Sequence, residues 1–137
     1  MNTRRNKQVM EEIFAALAKG DRGPFAAAMS DDVEWTIAGV EHEWAGTWRG
    51  RDEVRGGLMA ALFAQLADGY TNTAVSFTAE GDRVVVEGRG RVETRTGSRY
   101  DNQYCYVFRF GDDGLLASVV EYADTALMQA VLSAPPR

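Results

Sequence analysis

One cysteine and one histidine are all this chain offers to thiol or imidazole chemistry. A single cysteine, Cys105, cannot close an internal disulfide, and inside a strand-like run it reads as a small buried hydrophobe. The lone histidine, His42, is far from it in sequence, so no basic partner for a catalytic thiol is apparent. No His, Cys and Asp cluster has metal-ligand spacing, and neither a metal nor a cofactor is expected. No apolar run approaches the roughly 18–20 residues of a membrane span. Basic residues in Met1–Glu12 have no apolar core behind them, so a signal peptide is not expected. A cytoplasmic protein without membrane contact is the expectation. Positive charge is also scarce. Fifteen Lys and Arg stand against 20 Asp and Glu, for a net charge of −5, which disfavours general nucleic-acid binding by phosphate neutralisation. There is no phosphate-binding glycine loop either. Gly88-x-Gly90 lies inside a strand pattern, where glycines mark a bulge or bend.

What remains is apolar and strongly patterned. Hydrophobic residues make up 45% of 137, enough for one core and one domain, residues 1–137. The clearest signal is Tyr100–Thr125. Tyr100, Tyr104, Tyr106, Phe108 and Phe110 recur at strand period, Gly111–Gly114 is a turn, and Leu115–Tyr122 returns with Val119 and Val120. Glu121 would share a face with Tyr104 and Asn102, a carboxylate among aromatics.

The earlier chain reads as helix 5–19, short helix 22–29, strand 33–37, an irregular stretch 38–50, and helix 51–67. Val9, Ile13, Phe14 and Leu17 give the first helix its apolar stripe. Val54, Leu58, Ala61, Leu62 and Leu66 give one to the helix over 51–67. Strands follow at 71–79 and 83–95, then the aromatic hairpin, a helix at 125–132 and a frayed tail, 134–137. In the strand over 83–95, Val84, Val86 and Val92 oppose Glu87, Arg89, Arg91, Glu93 and Arg95. The fold class is α+β, with helices on one side of a curved antiparallel sheet.

Several residues stand out, each with more than one reading. Glu121 is an acid–base group in an apolar pocket, half of an ion pair with Arg89, or simply solvated. The arginines Arg89 and Arg91 belong to a solvated sheet face or anchor a ligand oxygen. Asn102 and Tyr104 orient a ligand, or bond structurally. His42 is a solvated loop residue, or a base if 38–50 folds over a pocket mouth. Trp44 and Trp48, in the same stretch, pack on the core or cover a cavity. Trp35 is the tryptophan expected to touch ligand.

The chain resembles the SnoaL-like, nuclear-transport-factor-2-like superfamily, which includes ketosteroid isomerase, polyketide cyclases and limonene epoxide hydrolase. The resemblance rests on Asp31-Asp32-Val33-x-Trp35, Trp48-Arg49-Gly50-Arg51-Asp52, Thr96-Gly97 before Tyr100-x-Asn102-x-Tyr104, Val107–Phe110, Asp113-Gly114, and Glu121-Tyr122-x-Asp124-Thr125. It implies a cone-shaped, cystatin-like α+β barrel, its antiparallel or mixed sheet wrapped around N-terminal helices. It implies a pocket lined by Phe14, Leu17, Trp35, Ile37, Leu58, Leu62, Arg89, Arg91, Asn102, Tyr104, Val119 and Glu121. The general-base aspartate of ketosteroid isomerase relatives falls here on Ile37. Of the aspartate–arginine–aspartate set of the epoxide hydrolases, Arg89 and Glu121 match two members and Arg91 replaces the third. The single carboxylic acid of the polyketide cyclases matches Glu121.

The expected function is cofactor-independent acid–base catalysis on a compact apolar carbonyl compound. Glu121 would move the proton, with Arg89, Asn102 and Tyr104 stabilising charge on oxygen. An epoxide hydrolase is a lesser expectation. The alternatives are a non-catalytic ligand-binding protein, or a dimerisation module. A homodimer through the outer sheet face is expected, since a Val84/Val86/Val92 face would need cover.

Overall fold

The computed structural model describes residues 2–136 of the chain. Helix α1 (Thr3–Leu17) starts at Asn2, whose side chain accepts from the Arg5 N–H at 3.0 Å. It turns Met10, Ile13, Phe14 and Leu17 into the core, a stripe set by spacings of three and four residues. Helix α2 (Gly23–Ala28) has Pro24 in its first turn, where the missing N–H costs nothing. Strands β1 (Met29–Ile37) and β2 (Gly46–Arg49) follow. A helical stretch then runs in three pieces: α3 (Arg51–Glu53), a π-helical segment (Val54–Met59) and α4 (Ala60–Phe63). Strands β3 (Thr71–Glu80), β4 (Arg83–Arg91), β5 (Gln103–Phe110) and β6 (Leu116–Ala123) precede α5 (Thr125–Val131). No described helix is long and apolar enough to cross a membrane.

The six strands form one sheet in the order β2-β1-β6-β5-β4-β3. Only β1 and β6 run parallel; every other pair is antiparallel. The fold is therefore α+β with a mixed sheet, and α1 lies across β3 and β4.

Strand parity decides what the sheet buries. Val84, Val86, Tyr104, Tyr106, Phe108, Phe110, Val119, Glu121 and Trp35 are buried. The rings of Tyr104, Tyr106 and Phe108 stack in sequence, with centroids 5.1 and 5.4 Å apart. Val84, Val86 and Val92 are thus core, not the outer face expected to need a partner. Glu87, Arg89 and Arg91 take the outer side. The reason is desolvation: burying valine is favourable, whereas burying guanidinium without a counter-charge is costly.

Other expectations shift at element boundaries. Residues 46–49 of the stretch read as irregular form a strand against β1, pairing Trp48 with Trp35. The helix expected over 51–67 widens into a π turn and ends at Phe63. There Gly57 offers no Cβ, so the Trp48 ring comes within 3.6 Å of where one would stand. The strand expected to reach 95 ends at Arg91, because the next backbone groups bond locally. The Val92 N–H donates to Asp101, and the Thr94 N–H to Ser98. The tail is held: Ser133 exchanges hydrogen bonds with the Gln65 side chain at 2.7 and 3.0 Å, and Pro135 is buried. Arg137 lies outside the described residues.

Gly88 does stand at a bulge, with the extra residue in the neighbouring strand: the β3–β4 register slips between Ala74↔Gly88 and Ser76↔Glu87. The β4–β5 register runs unbroken from Arg83↔Arg109 to Arg89↔Gln103. The two glycines also leave room. A Cβ on Gly88 would stand 2.6 Å from Asn72 Oδ1, and one on Gly90 would stand 3.1 Å from Tyr104 Cε2. Gly88→Ala is therefore expected to cost about 1–3 kcal/mol by overpacking. Gly56→Ala, which meets nothing within 4 Å, should be neutral or stabilise by up to about 1 kcal/mol. Urea unfolding of both variants tests this; a Gly88→Ala protein as stable as wild type would show the approach to be slack.

Candidate functional site

Helix α2, the π-helical segment, α4 and the inner sheet face enclose a cavity of about 460 Å³, in the usual range for small-ligand pockets. One acidic residue lines it, Glu121. Strand β6 sets this group between Tyr106 of β5 and Ile37 of β1. The side chain is 8% exposed. Its Oε1 accepts from Trp35 Nε1 at 3.1 Å, across 86 residues of sequence. Among the described residues it has no ion-pair partner. Burial therefore dominates and pushes its carboxyl up to about 7, with the Trp35 hydrogen bond pulling weakly the other way.

Four tyrosines surround it. Tyr70, Tyr100, Tyr104 and Tyr106 all line the cavity. The Asn72 Nδ2 donates to both the Tyr70 and Tyr106 hydroxyls, at 3.1 and 3.0 Å. The Asn102 Nδ2 donates to the Tyr100 hydroxyl at 3.1 Å. A hydroxyl that accepts from an amide keeps its own proton for another partner. Burial raises all four phenols, Tyr70 to about 12, so each stays a donor at neutral pH. A negative charge on Glu121 would raise them further. Two buried polar atoms on cavity residues lack a hydrogen-bond partner among the described residues, Asn72 Oδ1 and Trp44 Nε1.

The wall at Trp44 is built by the loop before β2. The His42 ring bonds the Ala38 carbonyl through Nε2 at 2.8 Å and accepts the Trp44 N–H at Nδ1, 3.2 Å. This network assigns the proton to Nε2. The Glu43 N–H donates to Gln129 of α5 at 2.9 Å, and Met128 of that helix lines the cavity.

Of the residues expected at a pocket, Leu17, Trp35, Ile37, Trp44, Leu58, Leu62, Tyr104 and Glu121 border this cavity. Phe14 and Val119 lie behind it; Phe14 contacts the Phe77, Tyr106 and Phe108 rings about 6 Å away. Asn102 is buried but structural, also binding the backbone of Gln103 and Asp124. His42 is spent on its own loop. Arg89 and Arg91 are corrections: they share the parity of Gln103, opposite Tyr104, and do not border the cavity. No Arg89–Glu121 pair forms, and the acid–arginine–acid set of an epoxide hydrolase is not assembled here.

Sequence reading missed Tyr70, Asn72, Tyr106, Arg22 and Arg55. Tyr106 shares the face of Tyr104 and was within reach of parity. Asn72 had a signal too, as an amide in a β-branched strand. Tyr70 and Arg22 sit outside regular elements, where no period says which way a side chain points, and Arg55 lies where a π turn breaks the 3.6-residue period expected of its helix. Among the described residues, no three His, Cys, Asp or Glu side chains gather to hold a metal.

A carboxyl raised by burial costs folding energy once the unfolded chain ionises. Below the unfolded value, 4.5, both states are protonated and nothing is lost. Between 4.5 and about 7 the unfolded state ionises first, so stability falls as pH rises. Glu121→Gln removes this penalty, on the order of 3 kcal/mol when complete. Urea unfolding at pH 5 and pH 8 should show wild type losing stability relative to the variant; parallel changes would sink the assignment.

Comparison with known proteins follows the same outline. The family model for the SnoaL-like domain matches residues 10–119. Among curated proteins nothing matches. A crystal structure of an NTF2-like protein of unknown function from Burkholderia pseudomallei K96243 is similar. It has 27% identity and a TM-score of 0.78, and the match covers 98% of this chain and 100% of that one. An NTF2-like protein from Burkholderia thailandensis E264 has 27% identity and a TM-score of 0.76, with coverage of 96% and 98%. An LEH-like epoxide hydrolase from M. tuberculosis shares the fold at 22% identity, with a TM-score of 0.70 and coverage of 95% and 90%.

Proposed function

The chain belongs to the SnoaL-like domain family, and we propose that it is a cofactor-independent acid–base enzyme of isomerase or cyclase type. Its substrate is a compact, mostly apolar carbonyl compound. One observation carries the reading: a buried carboxyl without a counter-charge borders a ligand-sized cavity alongside phenol donors.

The chemistry follows from the arrangement. A carboxyl that titrates near neutrality is matched to taking and returning a proton at that pH. As carboxylate, Glu121 removes a proton from carbon next to the carbonyl, and the electron pair moves onto the carbonyl oxygen. Tyrosine hydroxyls donate to that oxygen as it becomes negative. Asn72 and Asn102 hold Tyr70, Tyr106 and Tyr100 beforehand, so little reorganisation is needed during the step. Glu121, now protonated, returns the proton at a second carbon; or the enolate carbon attacks a second carbonyl of the same molecule, whose C=O π bond opens, and the alkoxide formed takes the proton from Glu121. Trp35 fixes the carboxyl throughout.

A non-catalytic ligand-binding protein is the second reading. Ile37, which stands where ketosteroid isomerase relatives carry their general-base aspartate, borders the cavity and supports it. For partners, we propose a homodimer through the outer sheet face, where Val75 and Tyr122 are exposed.

The test is proton exchange in D₂O, followed by NMR, at carbon next to the carbonyl of cyclic ketones and 1,3-diketones. Wild type should accelerate exchange. Glu121→Gln should lose at least about 100-fold, and Tyr106→Phe about 10–100-fold, with the fold intact. Undiminished exchange in Glu121→Gln would remove its role, and ketone binding without exchange would favour the second reading.

A further inference from the structure

We propose that the cavity mouth is an anion subsite and that the ligand is an amphipathic carboxylate, its acid group held by Arg22 and Arg55 and its apolar body inside. This rests on the cavity being the binding site, as proposed above.

Both arginines line the cavity, yet both are exposed. They stand at its rim on separate elements, Arg22 just before α2 and Arg55 in the π-helical segment. The rest of the lining is mostly aromatic and aliphatic, with Glu121 its one acidic residue among the described residues. Neither arginine has an ion-pair partner among the described residues, whereas Arg49, Arg51 and Arg99 do. The Arg22 guanidinium lies over the Phe63 ring, 3.6 Å from its centroid. Stacking fixes the plane of the guanidinium and leaves its N–H edge for a two-pronged grip on a carboxylate.

The charge around the mouth favours the same occupant. A neighbouring hollow of about 360 Å³ shares Arg22, Phe63 and Tyr70 with the cavity and adds Lys19 and Arg95, against one acid, Asp68. A locally cationic entrance on a chain of net charge −5 selects anions from the approaching solutes. The opposite end forbids them. A ligand carboxylate beside Glu121 would be one more charge in a dry pocket and would hinder ionisation of the enzyme's acid. The gradient therefore sets direction: acid group at the rim, carbonyl inward.

A matched pair of probes tests this, 6-phenylhexanoate and its methyl ester, titrated by calorimetry at 50 and 500 mM salt. Wild type should bind the acid about ten-fold more tightly than the ester, and salt should weaken only the acid. Arg22→Gln/Arg55→Gln should bring the two affinities together, the acid losing about ten-fold relative to the ester, and should abolish the salt dependence of acid binding. Arg55→Gln alone, at an exposed position, should give part of the effect even if loss of the Arg22 stacking perturbs the fold. Ester binding equal to or tighter than acid binding in wild type overturns the subsite and leaves the cavity reading standing. An acid preference that survives the double substitution does the same. Failure of both probes to bind overturns the subsite and the cavity reading together.

Discussion

Parallel pairing of β1 with β6 is the constraint on which this molecule depends. Parallel neighbours need a long crossover, and here residues 38–115, more than half of the chain, serve as one. The pairing sets Trp35 against Val119 and Ile37 against Glu121. It brings the indole within 3.1 Å of the carboxyl. It also joins β1 and β2 to the four-stranded meander that α1 already crosses. Without it Trp35 and Ile37 would not close the cavity over Glu121.

Within that frame the carboxyl is held at a cost. A buried acid with one hydrogen bond and no counter-charge is destabilising once ionised, and burial, opposed only by the Trp35 hydrogen bond, pushes it to about 7. An arginine beside it would relieve the cost and remove the chemistry, because the carboxyl would stay ionised and weakly basic. The tyrosines complement it without neutralising it. Their hydroxyls are held by Asn72 and Asn102 and stay protonated in the dry interior. Gly88 and Gly90 serve the same end, since any side chain there would meet Asn72 or Tyr104. The backbone has thus given up packing in β4 to admit polar groups from β3 and β5.

Periodicity carried much of this. Alternation in 103–110 and 116–123 placed Tyr104 and Glu121 on one face, and the stripe of α1 placed Leu17 toward them. Burial in a strand repeats every second residue, so each strand offers two assignments of its faces. For β4, the family-derived placement of Arg89 and Arg91 chose the wrong one. Hydropathy, overruled by that placement, points to the right one, since valines on one side and charges on the other leave a single inexpensive inside. Where no period applies, prediction lapsed: Arg22, Arg55 and Tyr70 reach the cavity from turns and a π-helical segment.

Most of the elements, the α+β class and the carboxyl group set among aromatics were legible along the chain. These follow from local spacing and from the cost of burying charge, both of which act between near neighbours. Only the tertiary structure decided that Glu121 meets Trp35 rather than an arginine, and that two amides serve three tyrosine hydroxyls. It also placed two arginines at the mouth. The Glu121–Trp35 and Asn72–Tyr106 bonds join residues tens of positions apart through strand order, and no pattern along the chain encodes the distance between them.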